Sequence, residues 1–159
     1  MNISIICVGK IKEKFYREAI GEYSKRLSRY CKLDIVEVSD EKTPDNASLK
    51  EEAQIKDKEG EGILKNLKDN MYVIAMDIKG EMITSELLAS KMNQLGVFGD
   101  SNIAFIIGGS LGLSNNVLEK ANYKLSFSMM TFPHQLFRVM ILEQVYRGFR
   151  INAGEPYHK

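Results

Sequence analysis

Residues 102–114 read NIAFIIGGSLGLS. An apolar, β-branched run ends on two glycines, and a third glycine follows at Gly112. This pattern predicts a buried strand over 102–109 that its own glycines terminate. Gly108 and Gly109 let backbone come close to a ligand and free N–H groups to bind it. The same pair also suits an ordinary tight turn. The GGxxG spacing is not the GxGxxG dinucleotide fingerprint, and no Gly-Lys-Ser/Thr follows to make a phosphate loop.

Similar runs lie on either side. NISIICV (2–8), LDIVEV (33–38), MYVIAMD (71–77) and YKLSFSMM (123–130) all read as strands. Helical spacing separates them. Phe15, Ala19, Tyr23, Leu27 and Tyr30 mark a helix over 11–30. A charged helix runs from about Ala47 to about Leu67, capped by Asn46 or Asp45 and weakened in its middle by Gly60 and Gly62. Thr84 or Ser85 opens another, through about Leu95, and a short one covers 115–121. Pro133 suits the first turn of the last helix, whose apolar side carries Leu136, Phe137, Met140, Ile141 and Val145. Strand and helix alternate about five times without a linker or repeat. The expectation is an α/β fold: one domain, 1–159, with a parallel sheet and helices on both faces. Ligands of such sheets bind beyond the carboxyl ends of the strands.

The chain has 159 residues, 44% hydrophobic and 27% charged, which suits a globular domain with a substantial core. Its net charge of +1 hides a gradient. Residues 1–32 hold eight Lys/Arg against three Asp/Glu, whereas residues 33–70 hold six against eleven. Basic charge returns in 129–159, so a polyanion-binding patch forms if the two ends meet in space. Cys7 and Cys31 lie in apolar stretches and read as buried thiols in a reducing compartment. No metal-ligand spacing is present. The opening apolar run is too short for a signal sequence or a membrane span, so a cytoplasmic location is the default expectation.

The first, third, fourth and fifth predicted strands end on something suggestive: Gly9-Lys10, Met76-Asp77, the glycine loop, and Phe127 to His134. LSFSMMTFPH (125–134) is soft and uncharged, fit for core packing or for a pocket wall around a flat ring. His134 reads first as a structural hydrogen-bonder. Arg147 and Arg150 sit where a helix C-terminus favours cations. Tyr157 and His158 are different, since a tail gives them no evident structural duty. With Arg147 they make a group able to bind a phosphate and handle a proton.

Taken in order, ISIICVGKIK (3–12), YVIAMDIKG (72–80), IAFIIGGSLGLS (103–114), LSFSMMTFPHQLFRVMILEQVYRGFRI (125–151) and PYHK (156–159) closely resemble the ribosomal RNA large subunit methyltransferase H family. These are small bacterial enzymes of the SPOUT class. The resemblance implies a C-terminal trefoil knot, in about 102–150, that holds S-adenosyl-L-methionine. It implies a homodimer that methylates N3 of a pseudouridine in 23S ribosomal RNA within the assembled ribosome. It places Met76, Gly108, Gly109, Phe127, Ser128, Met129, Met130, Thr131 and Phe132 at the cofactor. Arg147, Tyr157 and His158 fall at the substrate side, with His158 as candidate base. Some relatives have Pro-Glu where this chain has Ser110-Leu111, so no acid in that loop is required. The tail is expected to be ordered at the dimer interface, over the partner's cofactor, with Lys25, Arg26 and Arg29 tracking RNA backbone. Rival readings are a non-catalytic ribosome-binding module with a degenerate pocket, and a nucleotide- or flavin-binding protein.

Overall fold

The computed structural model covers residues 1–159. Five strands form one parallel sheet: β1 (Asn2–Val8), β2 (Lys32–Val38), β3 (Tyr72–Met82), β4 (Asn102–Ile107) and β5 (Tyr123–Ser126). Their spatial order is β2-β1-β4-β3-β5. Helices α1 (Lys14–Leu27), α2 (Leu49–Leu64), α3 (Ser85–Phe98), α4 (Asn115–Lys120) and α5 (His134–Asn152) connect and cover them. No helix is long and apolar enough to cross a membrane.

Both faces of the sheet are buried, because successive side chains of each strand point to opposite sides. Ile3, Ile5, Ile74, Ile103 and Phe105 face one core, closed by α1, α3 and α5 through Leu27, Met92, Ile141 and Val145. Ile6, Val8, Ala75, Ala104 and Ile106 face the other, closed by α2 and α4 through Ile63 and Val117. This accounts for the unbroken apolar runs of the sequence: a strand buried on both sides has no polar face to alternate with.

Several element ends differ from expectation, each for a local reason. Helix α1 starts at Lys14 because Glu13 is extended (φ −80°, ψ 131°), and the N–H groups of Lys12 and Glu13 donate to Gln135 Oε1. Helix α2 starts at Leu49, and its cap is Ser48, not Asn46 or Asp45. Glu51 N–H donates to Ser48 Oγ and Ser48 N–H donates to Glu51 Oε2 at 2.7 Å. The helix runs unbroken through its glycines, which packing requires: a Cβ on Gly60 would strike Ser114, and one on Gly62 would strike Val38. In α5 the apolar side is deepest at Ile141, Leu142 and Val145, while Leu136, Phe137 and Met140 are half-buried.

The largest differences involve β3 and β5. Strand β5 leaves the sheet after Ser126 rather than at 130, since Ser126 Oγ donates to the Ser128 carbonyl and Met130 N–H donates to Ser128 Oγ. These side-chain bonds compete with the ladder and turn the chain away. Strand β3 extends to Met82 rather than 77, with an interruption. Met76 and Glu81 both pair with Leu125, so residues 77–80 loop out around the passing β5 backbone. Gly80 lies against that backbone: an added Cβ would sit 2.7 Å from Leu125 N and from Lys124 C. Gly80→Ala is therefore expected to lower stability by about 1–3 kcal/mol, read as a shift of the urea midpoint with an unchanged slope.

Candidate functional site

A cavity of about 480 Å³ lies beyond the carboxyl ends of β3, β4 and β5. That volume is in the range of small-molecule sites, roughly 300–1,000 Å³. Of the nine positions expected at a cofactor, Met76, Gly108, Gly109, Phe127, Ser128, Met130, Thr131 and Phe132 line it. Met129 does not, and its side chain is exposed. The lining also includes Asp77 and His134, both at strand ends the sequence marks as suggestive, and three residues not anticipated from the sequence: Lys56 from α2, Lys79 from the β3 loop and Phe137 from α5.

The turn after β4 forms one side. Gly109 and Gly112 bridge, with Gly112 N–H donating to the Gly109 carbonyl at 3.0 Å. Gly112 has φ +87°, a conformation that disfavours any side chain. Ser110 and Leu111 donate their N–H groups to no protein acceptor. The opposite side is aromatic: Phe127 lies 5.2 Å from Phe137, and Phe132 stacks on Phe137 at 6.1 Å between centroids. His134 sits on this side, and burial pushes its pKa down, with the nearby Arg138 acting the same way. Arg138 is itself buried. It donates to the Gly9 carbonyl at 3.0 Å and reaches Glu37 at 3.5 Å, so it ties α5 to the ends of β1 and β2.

Arg147, Tyr157 and His158 do come together, though not in that cavity. Their organiser is Glu143, a residue absent from the sequence reading. Glu143 accepts from Arg147 Nη2 at 2.6 Å, from Tyr157 OH at 3.0 Å and from Gln144 Nε2 at 2.8 Å. Its spacing of four from Arg147 on one helix was the available signal. His158 is clamped from both sides: Arg147 Nη1 lies 3.2 Å from Nδ1, and Glu86 Oε1 lies 2.8 Å from Nε2. Because Arg147 can only donate, Nδ1 accepts and the ring hydrogen resides on Nε2, facing Glu86. Hydrogen bonds from its own backbone, from Thr84 and from His158 hold the Glu86 pKa down at about 2. Burial and the Glu143 carboxylate push the Tyr157 phenol up to about 12, so at neutral pH it is a donor. The tail thus has a structural duty: it is pinned to α3 and α5.

A second cavity, of about 450 Å³, adjoins this cluster between α1, α3 and α5, and Glu143, Thr84 and Tyr23 line it. Leu125 and Phe127 border both cavities and separate them. The two basic chain ends meet here. Arg26 and Arg150 lie over the Tyr146 ring, and Arg147 lies 4.8 Å over Tyr157. Among the first-helix basics, Arg26 also pairs with Glu22 at 2.9 Å, and Arg29 lies 4.0 Å from Glu155. Cys7 and Cys31 are free thiols, both pushed up to about 11 by burial.

Glu59 on α2 backs the glycine turn. It is buried, its Oε1 accepts from Glu41 N–H at 3.1 Å, and its Oε2 has no partner. An added Cβ on Gly109 would lie 2.7 Å from that oxygen. Desolvation raises the Glu59 pKa above its ordinary 4.5, and Asp40 and Glu41 add to the rise. A carboxylate raised by folding weakens the fold above that raised pKa, and the penalty fades as pH falls toward the ordinary value. Glu59→Gln is expected to raise the melting temperature at pH 7–8, with the gain shrinking as pH falls toward 4.5, as thermal melts across that range would show.

The family model described as a predicted SPOUT methyltransferase matches residues 1–158. Proteins of Clostridium beijerinckii and Clostridium botulinum, each named ribosomal RNA large subunit methyltransferase H, are 72% identical to this chain over 159 residues and the full length of both partners. The Clostridium tetani protein of that name is 68% identical over the same span. Among solved structures, a probable methylase family protein from Haemophilus influenzae shares the fold, with a TM-score of 0.53 at 15% identity, over 99% of this chain and 70% of that one. A match over essentially the whole chain, joined to this sheet order and cavity, places the protein in the SPOUT methyltransferase family, alongside the ribosomal RNA large subunit methyltransferase H proteins.

Proposed function

We propose that this protein transfers a methyl group from S-adenosyl-L-methionine to N3 of a pseudouridine in 23S ribosomal RNA, acting as a homodimer on assembled ribosomes. The observation that carries this reading is the cavity at the carboxyl edge of the sheet. Its walls combine a flat aromatic side, an uncommitted pair of backbone donors at Ser110 and Leu111, and two lysines, Lys56 and Lys79. That donor set fits a nucleoside joined to a charged amino-acid chain: the ring takes the apolar wall, and the chain takes the donors. The relatives' shared name, with its large-subunit RNA and methyl transfer, supports the substrate class. One domain spanning 1–159, with a knot in about 102–150, and a cytoplasmic site of action belong to the same reading.

When bound, the cofactor supplies a methyl on a sulfonium, whose leaving group departs neutral. The protein's tasks are alignment and proton removal. Holding nucleophile, methyl carbon and sulfur in line is worth roughly 7–11 kcal/mol in favourable cases. Phe127, Phe132 and the glycine turn would fix the donor. His158 would take the N3 proton at Nδ1, the ring nitrogen that already acts as an acceptor. Arg147, released from that nitrogen, would face the imide oxygens as negative charge develops there. Tyr157 would hold Glu143 and so keep Arg147 placed.

In one chain these three residues lie apart from the cofactor cavity. A homodimer in which each tail serves the other subunit's cavity accommodates this separation. The basic, tyrosine-rich seam of α1 and α5 would meet RNA backbone, with affinity falling as salt rises. His158→Ala is expected to reduce methyl incorporation on the order of 10²–10⁴-fold, while calorimetry shows S-adenosyl-L-methionine still bound. Full activity in that variant would remove His158 as the base. Labelled methyl incorporation into unmodified ribosomes should exceed that into naked 23S RNA, and removal of the last three residues should abolish it. Ribosome binding without incorporation would favour a non-catalytic module instead.

A further inference from the structure

The cavity has two chemically different ends, because it straddles the edge of the sheet. Its aromatic wall, Phe127 with Phe137, packs with the core under α1, α3 and α5. Its other end belongs to the α2 and α4 face, where Glu59 backs Gly109 and Gly60 abuts Ser114. Lys56 lies three and four residues before these two contacts, hence on the same face of α2. It lines the cavity, it is half-buried, and it makes no ion pair with the protein. Its neighbour Lys58, by contrast, is committed to Glu41 at 3.3 Å. The other lysine in the lining, Lys79, is exposed and lies on the looped-out segment of β3, away from α2 in the chain.

An amino-acid carboxylate loses much of its hydration on entering such a cavity, and it needs a compensating charge. The N–H groups of Ser110 and Leu111 supply only partial charges. We propose that Lys56 is the counter-ion for the α-carboxylate of the methyl donor, gripping the amino-acid end while the aromatic wall holds the ring. This inference rests on the cofactor reading above and adds a residue and an orientation to it. A lysine head is a compact point charge, so its charge matters more than its shape.

Two nucleosides separate the charge from the rest of the ligand. S-adenosylhomocysteine carries the carboxylate, and 5′-methylthioadenosine lacks the amino-acid chain. Calorimetry with both, on the full chain, is expected to show Lys56→Met weakening S-adenosylhomocysteine about tenfold, as for a partly exposed charge pair, and leaving 5′-methylthioadenosine unchanged. Lys56→Arg should restore most of the loss, and thermal melts should show each variant folded. Equal losses for both ligands, no loss for either, or the selective loss appearing in Lys79→Met instead would overturn the assignment to Lys56. Failure of the unaltered protein to bind either nucleoside would overturn the cofactor reading itself, and it is read from the same titrations.

Discussion

The site depends on one crowded crossing. Leu125 is paired on both sides of a looped-out segment of β3, and the loop closes on the β5 backbone where only Gly80 fits. This contact fixes β5 at the sheet edge after a strand of four residues. It also sets where the chain must turn. Beyond Ser126 the segment has no further ladder to follow, and the Ser128 hydrogen bonds curl it over the sheet edge as the aromatic wall. The same crossing divides the two cavities, since Leu125 and Phe127 face both.

Most of the architecture was legible in the sequence, because doubly buried strands leave an unmistakable mark. Ile3 to Val8 and Ile103 to Ile107 have no polar alternation, as expected of parallel strands covered on both faces by helices. Element ends were less legible. The cap is Ser48, through a reciprocal bond with Glu51, although Asn46 and Asp45 nearby offer equally suitable side chains in the sequence. The β3 extension was invisible, since Glu81 and Met82 pair only because β5, more than 40 positions later, runs beside them. Gly60 and Gly62 read from sequence as weak points of the helix, and they are places where a neighbouring element comes too close for a side chain.

For the site, residues within one segment were easier than residues that meet across segments. The run from Phe127 to Phe132 suits core packing or a pocket wall, and the resemblance places it at the cofactor; all but Met129 line the cavity. Glu143 and Glu86 were missed because their importance lies in a tail that folds back on them from 14 and 72 positions away. Lys56 was hidden in a charged stretch of the kind that normally means a solvated face. Only the packing of α2 against the glycine turn separates it from its neighbours.

The tail seam has one more consequence, an optical one. The protein has no tryptophan and seven tyrosines, so its near-ultraviolet emission comes from phenols alone. Three of these phenols, Tyr30, Tyr123 and Tyr157, donate to carboxylates, an arrangement that quenches tyrosine emission. Tyr157 also meets Tyr146 edge-on at 5.0 Å, beside Tyr30. Lifting the last residues off α5 would part Tyr157 from Glu143 and brighten the molecule, giving the chain a built-in lamp for the position of its own end.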